Sequence, residues 1–148
     1  MDAVGASALT VLTGVLVFVL GQLASGLFVE RINVQARAIE EIAQKLVVHA
    51  AIYSSPHEGS IDDVTRRKLE EVQMDFRRLA ALLSSTIQTL KWYPLFQSMR
   101  LVEKREKVRR TVDEIIGLSN TIGTGESGVK AALDHRRNIC EALGLSNH

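Results

Sequence analysis

Three glycines in the C-terminal third of the chain have a spacing that could serve nucleotide chemistry. Gly123, Gly125 and Gly128 read G-x-G-x-x-G. In dinucleotide-binding proteins this spacing lets the backbone approach a pyrophosphate at a helix start, but there it follows a strand and precedes an acidic residue about 20 positions on. A helical pattern precedes the glycines here. We therefore predict an interhelical loop at 123–128, whose role the sequence does not define.

A histidine and the single cysteine could be considered as a base with its nucleophile, or as two metal ligands. His135 and Cys140 are five residues apart, so on a helix their side chains point about 140° apart. Cys140 falls on an apolar helix face, which is typical of a buried, unreactive thiol. Since the chain has no CxxC or HExxH motif and His49, His57 and His148 are isolated, we predict no metal and no cofactor. No residue set fixes a reaction, which favours a non-enzymatic protein.

One local charge excess could bind anions. Six basic residues occupy eleven positions, with Glu103 and Glu106 among them and three aromatic residues upstream that would suit a membrane interface. The basic residues could contact anionic lipid headgroups or, less favourably, the phosphates of a nucleic acid. They could equally form a solvated helix face with internal Glu–Lys pairs. The basic cluster comprises Arg100, Lys104, Arg105, Lys107, Arg109 and Arg110, and the aromatic residues are Trp92, Tyr93 and Phe96.

The sequence element that most constrains where the protein lies in the cell is an N-terminal run of uncharged residues. Residues 3–29 contain no Asp, Glu, Lys or Arg. As a helix this run is about 40 Å long, enough to cross a bilayer with some tilt. The competing hypothesis is a cleaved secretory signal. However, Met1 is followed by Asp2 rather than by a basic residue, and the run is longer than the usual apolar core of a signal.

The charges that flank this run predict its orientation. Arg31, Arg37 and Lys45 follow the run, whereas only Asp2 precedes it. Because positively charged flanks stay in the cytoplasm, we expect the cell (inner) membrane as the location, with the N-terminus outside and residues 30–148 cytoplasmic. A single cysteine and the lack of any Asn-x-Ser/Thr acceptor fit a reducing compartment.

One face of the predicted spanning helix carries small residues, several of them seven positions apart. In lipid, helices associate where such residues allow close backbone approach. We therefore expect a homo-oligomer held in membrane lipid. Gln22, near the cytoplasmic end, could bond to a neighbouring helix, line a pore or reach the interface. The small-residue face comprises Ser7, Thr10, Gly14, Gly21 and Ala24.

Beyond residue 29 the apolar residues keep three-and-four spacing, which predicts helices with a/d seams. Pro94 and the glycine-rich loop interrupt the pattern, giving a stalk helix at 30–54 and helices at about 61–93, 95–120 and 127–143. The predicted fold is all-α: a single N-terminal transmembrane helix, 1–29, that continues into a cytoplasmic antiparallel bundle of about four helices, 30–148. The first seam is Val29, Ile32, Ala36, Ile39, Ala43, Leu46, Ala50 and Tyr53, and the second is Leu69, Val72, Phe76, Leu79, Leu83, Thr86 and Leu90.

Two functions follow from this architecture. The first is a non-enzymatic single-pass membrane protein that self-associates through its spanning helix, as an oligomeric effector that forms a pore or as a scaffold for cytosolic protein partners. The alternative is RNA binding or cleavage through the basic cluster. In architecture alone, the chain resembles the HEPN-like domains of prokaryotic toxin and CRISPR-linked proteins, a group that includes membrane effectors and ribonucleases. The ribonuclease members use an Arg followed after four to six residues by a His, and no His here has an Arg at that distance, which disfavours cleavage.

Overall fold

The computed structural model describes residues 3–56, 62–89 and 92–145. The chain forms two compact units, Met1–Val34 and Gln35–His148. Every regular element among the described residues is helical and none is a strand, which confirms the all-α class. The elements are α1 (Ala3–Ala24), a π-helical turn (Ser25–Val29), α2 (Glu30–Val48), α3 (Ala50–Tyr53), α4 (Asp63–Thr89), α5 (Tyr93–Ser98), α6 (Arg105–Thr121) and α7 (Gly125–Leu143).

The first unit consists mainly of α1, whose described side chains, 10–23, are all exposed. The π-helical turn that follows shifts the backbone hydrogen bonds from i→i+4 to i→i+5. This turn lies in the predicted spanning segment, 1–29, so that segment does not continue into the stalk as one regular α-helix. Within the described residues, no helix combines the length and the apolar character needed to cross a membrane.

In the second unit, α2 and α4 run antiparallel. Gln35 of α2 donates a hydrogen bond to Thr86 of α4 at 3.3 Å, and ten residues further along α2, Lys45 forms an ion pair with Asp75 at 2.5 Å. As the residue number increases along α2, the residue number of its partner on α4 decreases. This is the antiparallel arrangement that short helix connections favour.

Helix α6 packs against both α4 and α7. The side chain of Arg77 on α4 donates to Asn120 of α6 at 3.1 Å, and His135 of α7 pairs with Glu114 of α6 at 2.7 Å. The end of α6 meets the start of α7 at Gly128. Helices α2, α4, α6 and α7 thus form a helical bundle, and α3 packs on α7.

The predicted seam of α4 is confirmed wherever the structure describes it. The helix buries one continuous stripe because a three-and-four spacing keeps apolar side chains on a single face. Burying Thr86 with them costs little because its hydroxyl donates to the carbonyl of Leu83 at 2.7 Å. Leu90 lies outside the described residues. The buried seam residues are Leu69, Val72, Phe76, Leu79, Leu83 and Thr86.

The predicted seam of the stalk is wrong over most of α2. Ala36 is exposed and Ile39 and Ala43 are only half-buried, although Leu46 and Tyr53 are buried as predicted. The buried stripe is displaced by one residue over the first part of the helix, which rotates the helix face by about 100°. The stripe that faces the core consists of Gln35, Ala38, Ile42 and Leu46.

The helix predicted at 95–120 is divided in the structure. Helix α5 has Pro94 in its first turn, where the missing amide hydrogen costs nothing. The helix ends where Arg100 adopts φ +58°, and the amide of Leu101 bonds back to the carbonyl of Phe96 at 3.0 Å. This left-handed closure stops α5, so residues 99–104 connect it to α6 as an irregular segment.

Candidate functional site

The small-residue face predicted for α1 is not covered by other described residues at the positions where its side chains are described. A side chain built at Gly14 or at Gly21 would have no neighbouring atom within 4 Å, and Thr10 and Gln22 are exposed. The side chains of Ser7 and Ala24 lie outside the described residues. A face of this kind has room for a second helix at close range.

The basic cluster lies at the start of α6 and in the segment before it, and all six of its side chains are exposed. Helical geometry divides the cluster, because residues on one helix face are three or four positions apart. Arg105 and Arg109 share one side of α6. Lys107 instead pairs with Glu103 at 3.4 Å, as the hypothesis of internal Glu–Lys pairs predicts. The cluster therefore does not form a single basic face.

The three aromatic residues upstream of the cluster are separated by the fold. Tyr93 and Phe96 are buried, and only Trp92 is exposed, with 58% of its surface accessible. Three aliphatic side chains that the sequence did not single out as a surface are exposed beside it in the chain. We call the resulting set the α5 patch, and it directly adjoins the basic cluster along the chain. The α5 patch comprises Trp92, Leu95 (50% exposed), Met99 (59%) and Leu101 (47%).

A buried hydrogen-bond network fixes this segment on the bundle. Gln35 is only 3% exposed, and its side-chain amide donates to the Tyr93 hydroxyl at 3.0 Å and accepts from the Glu103 backbone amide at 3.0 Å. The Tyr93 hydroxyl in turn donates to the Glu103 carbonyl at 2.6 Å. Burial raises the pKa of Tyr93, so the hydroxyl keeps the proton that it donates. The network joins α2, α5 and the segment that leads into α6.

The start of α6 is also capped from α5. Lys104 occupies the N-cap position without a side-chain bond, and the backbone amide of Arg105 instead donates to the side-chain oxygen of Gln97 at 3.2 Å. A side-chain acceptor at this position satisfies one of the free amides of the first turn. The orientation of the α5 patch is therefore tied to α6 as well as to α2.

The glycines at 123, 125 and 128 are explained by the connection between α6 and α7. Gly123 and Gly125 have φ of +83° and +76°, a region that favours glycine. Gly128 is buried in the first turn of α7, where an added Cβ would lie 2.6 Å from the carbonyl oxygen of Thr121. The loop predicted at 123–128 is shorter in the structure, because α7 already begins at Gly125.

The histidine and cysteine of α7 have separate surroundings. His135 pairs through Nδ1 with Glu114 at 2.7 Å, and Asn138 donates to the other oxygen of that carboxylate at 3.1 Å. Burial opposes the ionisation of Glu114, but these two hydrogen bonds, together with the electrostatic attraction of His135 and Arg110, hold its pKa below the ordinary value. Cys140 is a buried free thiol, as predicted. In the described part of the chain, no group of three His, Cys, Asp or Glu side chains could hold a metal ion.

A second charged cluster joins α2 to α4. The hydrogen bond from Lys45 lowers the pKa of Asp75 despite partial burial, and His49, 3.3 Å from the same oxygen, adds to the effect. The ring of His49 also meets Phe76 edge-on at 5.9 Å. These contacts explain the position of His49 structurally, whereas His57 and His148 lie outside the described residues.

The lowered pKa of Asp75 predicts an acid-dependent loss of stability. The ion pair stabilises the fold above the unfolded-state pKa of about 3.9, and the contribution is lost as pH falls through the lower folded-state pKa. We expect Asp75→Asn to lose about 1 kcal/mol at pH 7 and to show a correspondingly smaller fall in stability between pH 7 and acid. Denaturant unfolding followed by circular dichroism measures both quantities. The exposed Asp113 provides the matched control as Asp113→Asn, and an equal effect there would contradict the assignment.

No protein-family model matches the chain, and no curated protein or solved structure is significantly similar to it.

Proposed function

We propose that this chain is a non-enzymatic single-pass membrane protein that self-associates through its N-terminal helix. It would act as an oligomeric membrane effector or as a scaffold for cytosolic proteins. The observation that carries the proposal is that α1 exposes large apolar side chains in every direction. Val11 is 67% exposed, Leu12 68% and Phe18 66%, and at 100° per residue the exposed positions surround the helix. Such a helix needs lipid or other helices around it.

The proposal takes the uncharged run in the sequence, 3–29, as the crossing segment. A helix of that length matches the hydrocarbon thickness of a bilayer with some tilt. The positive residues that follow it, Arg31, Arg37 and Lys45, support an orientation with the bundle in the cytoplasm. The location that we propose is therefore the cell (inner) membrane.

Self-association is supported by the face that contains Gly14 and Gly21. Lipid tails are as apolar as leucine, so helices in a bilayer gain little from the hydrophobic effect and associate by close packing. The open space at both glycines would allow the backbones of two copies to approach closely. Gln22 is exposed near the end of the same helix and could add a hydrogen bond between copies.

The experiment combines membrane extraction with a measurement of oligomer size. We expect the full chain to require detergent for release from membranes, and Gly14→Leu with Gly21→Leu to shift the chemically crosslinked and mass-photometry distributions to smaller species. The leucines add bulk where close approach is required. Membrane retention should be unchanged, because the variant helix is more apolar.

The matched control adds bulk to the opposite side of the helix. Leu12 and Val19 are also seven residues apart and exposed, so Leu12→Phe with Val19→Phe should leave the size distribution as it is. An unchanged distribution in the Gly14 and Gly21 variant would reject the packing face. Recovery of the wild-type chain in the aqueous fraction without detergent would reject the membrane anchor itself.

A further inference from the structure

The α5 patch is an exposed apolar surface, and the helix that carries it is fixed in an orientation that keeps the patch away from the core. Trp92, Leu95 and Met99 are three and four positions apart, so they lie on one side of the helical turn. The left-handed backbone at Arg100 and the bond from the Leu101 amide to the Phe96 carbonyl bring Leu101 back against the end of α5. Four large apolar side chains, each about half exposed, therefore follow one another along α5 and just beyond its C-terminal end.

The opposite side of α5 is anchored in the bundle. Tyr93 and Phe96 are buried, and Tyr93 belongs to the network with Gln35 and Glu103. Rotating the patch toward the core would break these contacts and expose both rings. The exposure of the patch is therefore a consequence of how the segment is held.

Exposed cations lie next to the α5 patch along the chain. Arg100, Lys104 and Arg105 are all exposed, and the one carboxylate within residues 99–104, that of Glu103, pairs with Lys107. An apolar surface with a tryptophan, bordered by positive charge, matches the headgroup region of an anionic bilayer. There the apolar side chains enter the acyl boundary while the cations meet the phosphates.

We infer that the α5 patch, with Arg100, Lys104 and Arg105, docks on the surface of an anionic lipid bilayer. The inference rests on the membrane anchor proposed above and adds a second, reversible contact between the cytoplasmic bundle and lipid. RNA fits this surface less well, because bases bind by stacking on several aromatic rings. Within the patch Trp92 alone offers a ring for stacking, while Leu95 and Met99 offer none.

Trp92 is the only tryptophan in the chain, so its fluorescence reports on the patch directly. The full chain is placed in nanodiscs of phosphatidylcholine alone or of phosphatidylcholine with phosphatidylglycerol. We expect the anionic lipid to shift the emission to shorter wavelength and to allow quenching by lipids brominated on the acyl chain. Replacing Arg100, Lys104 and Arg105 by Glu should abolish both effects. Losing three cations at about fivefold each already weakens the docking equilibrium by roughly a hundredfold, and the three new carboxylates are in addition repelled by the anionic lipid.

A charge-matched variant provides the control. Arg66, Arg67 and Lys68 are exposed on α4, and replacing them by Glu should leave the Trp92 emission shift intact. Unchanged wild-type emission between the two lipids, or equal loss in both triple variants, would overturn the inference. Quenching by an RNA oligonucleotide in neutral discs, without any response to anionic lipid, would overturn it in favour of RNA. A chain that elutes apart from the discs would overturn the anchor and this inference together, whereas co-elution with unchanged emission overturns this inference alone.

Discussion

Replacing Gln35 by Met is expected to lower the free energy of unfolding by about 3 kcal/mol, because it leaves buried polar groups without partners. Methionine has nearly the same volume but neither donates nor accepts as an amide does. The amide of Glu103 loses its acceptor, and the hydroxyls of Thr86 and Tyr93 each lose a donor. The loss is large for one side chain because Gln35 is bonded to α4, to α5 and to the segment that leads into α6.

Denaturant unfolding of the full chain in detergent, followed by circular dichroism, measures the change. Gln44 is exposed on the same helix, so Gln44→Met should alter stability by less than about 0.5 kcal/mol. A double-mutant cycle with Tyr93→Phe should give a coupling energy above about 0.5 kcal/mol. Additive effects of the two substitutions would show that the amide and the phenol do not act as one network.

The same residue shows why one part of the fold could be predicted and another could not. In α4 the apolar residues define one stripe, and Thr86 is tolerated there because it bonds within its own helix. In α2 two neighbouring stripes have three-and-four spacing, and the one that is buried begins with Gln35. In a pattern of apolar periodicity, a glutamine does not count as a core residue. Its partners in α4 and α5 are more than 50 residues away in the chain, so the choice between stripes depends on tertiary contacts.

The candidate surface was also only partly predictable. The basic cluster is visible as composition, and its exposure follows from the cost of burying charge. Met99, in contrast, belongs to an apolar pattern that predicts a helix over 95–120, and Leu95 stands at the predicted start of that helix. Pro94 marks the start of a new helix, but the division after Ser98 has only a weak signal in the sequence, Gln97, whose side chain caps the next helix.

Gly128→Ala is expected to destabilise the protein by about 2 kcal/mol, although the same change in an open helix would stabilise it by about 1 kcal/mol. An added Cβ would overlap Oγ1 of Thr124 and lie 2.6 Å from the carbonyl oxygen of Thr121. The threonine side chain can rotate away, but its hydroxyl would lose its bond to that carbonyl. The carbonyl belongs to the backbone at the end of α6, so α6 and α7 must move apart.

The sign of this effect tests why the glycines have their spacing. Thermal unfolding of Gly128→Ala is compared with that of Ser127→Ala, an exposed neighbour in the same turn, which should change stability little. Combining Gly128→Ala with Thr124→Ala removes the hydroxyl contact but leaves the carbonyl contact, so it should restore only part of the loss. A Gly128→Ala variant as stable as the wild type would show that helix packing does not require this glycine. The G-x-G-x-x-G spacing would then need an explanation other than the close approach of α6 and α7.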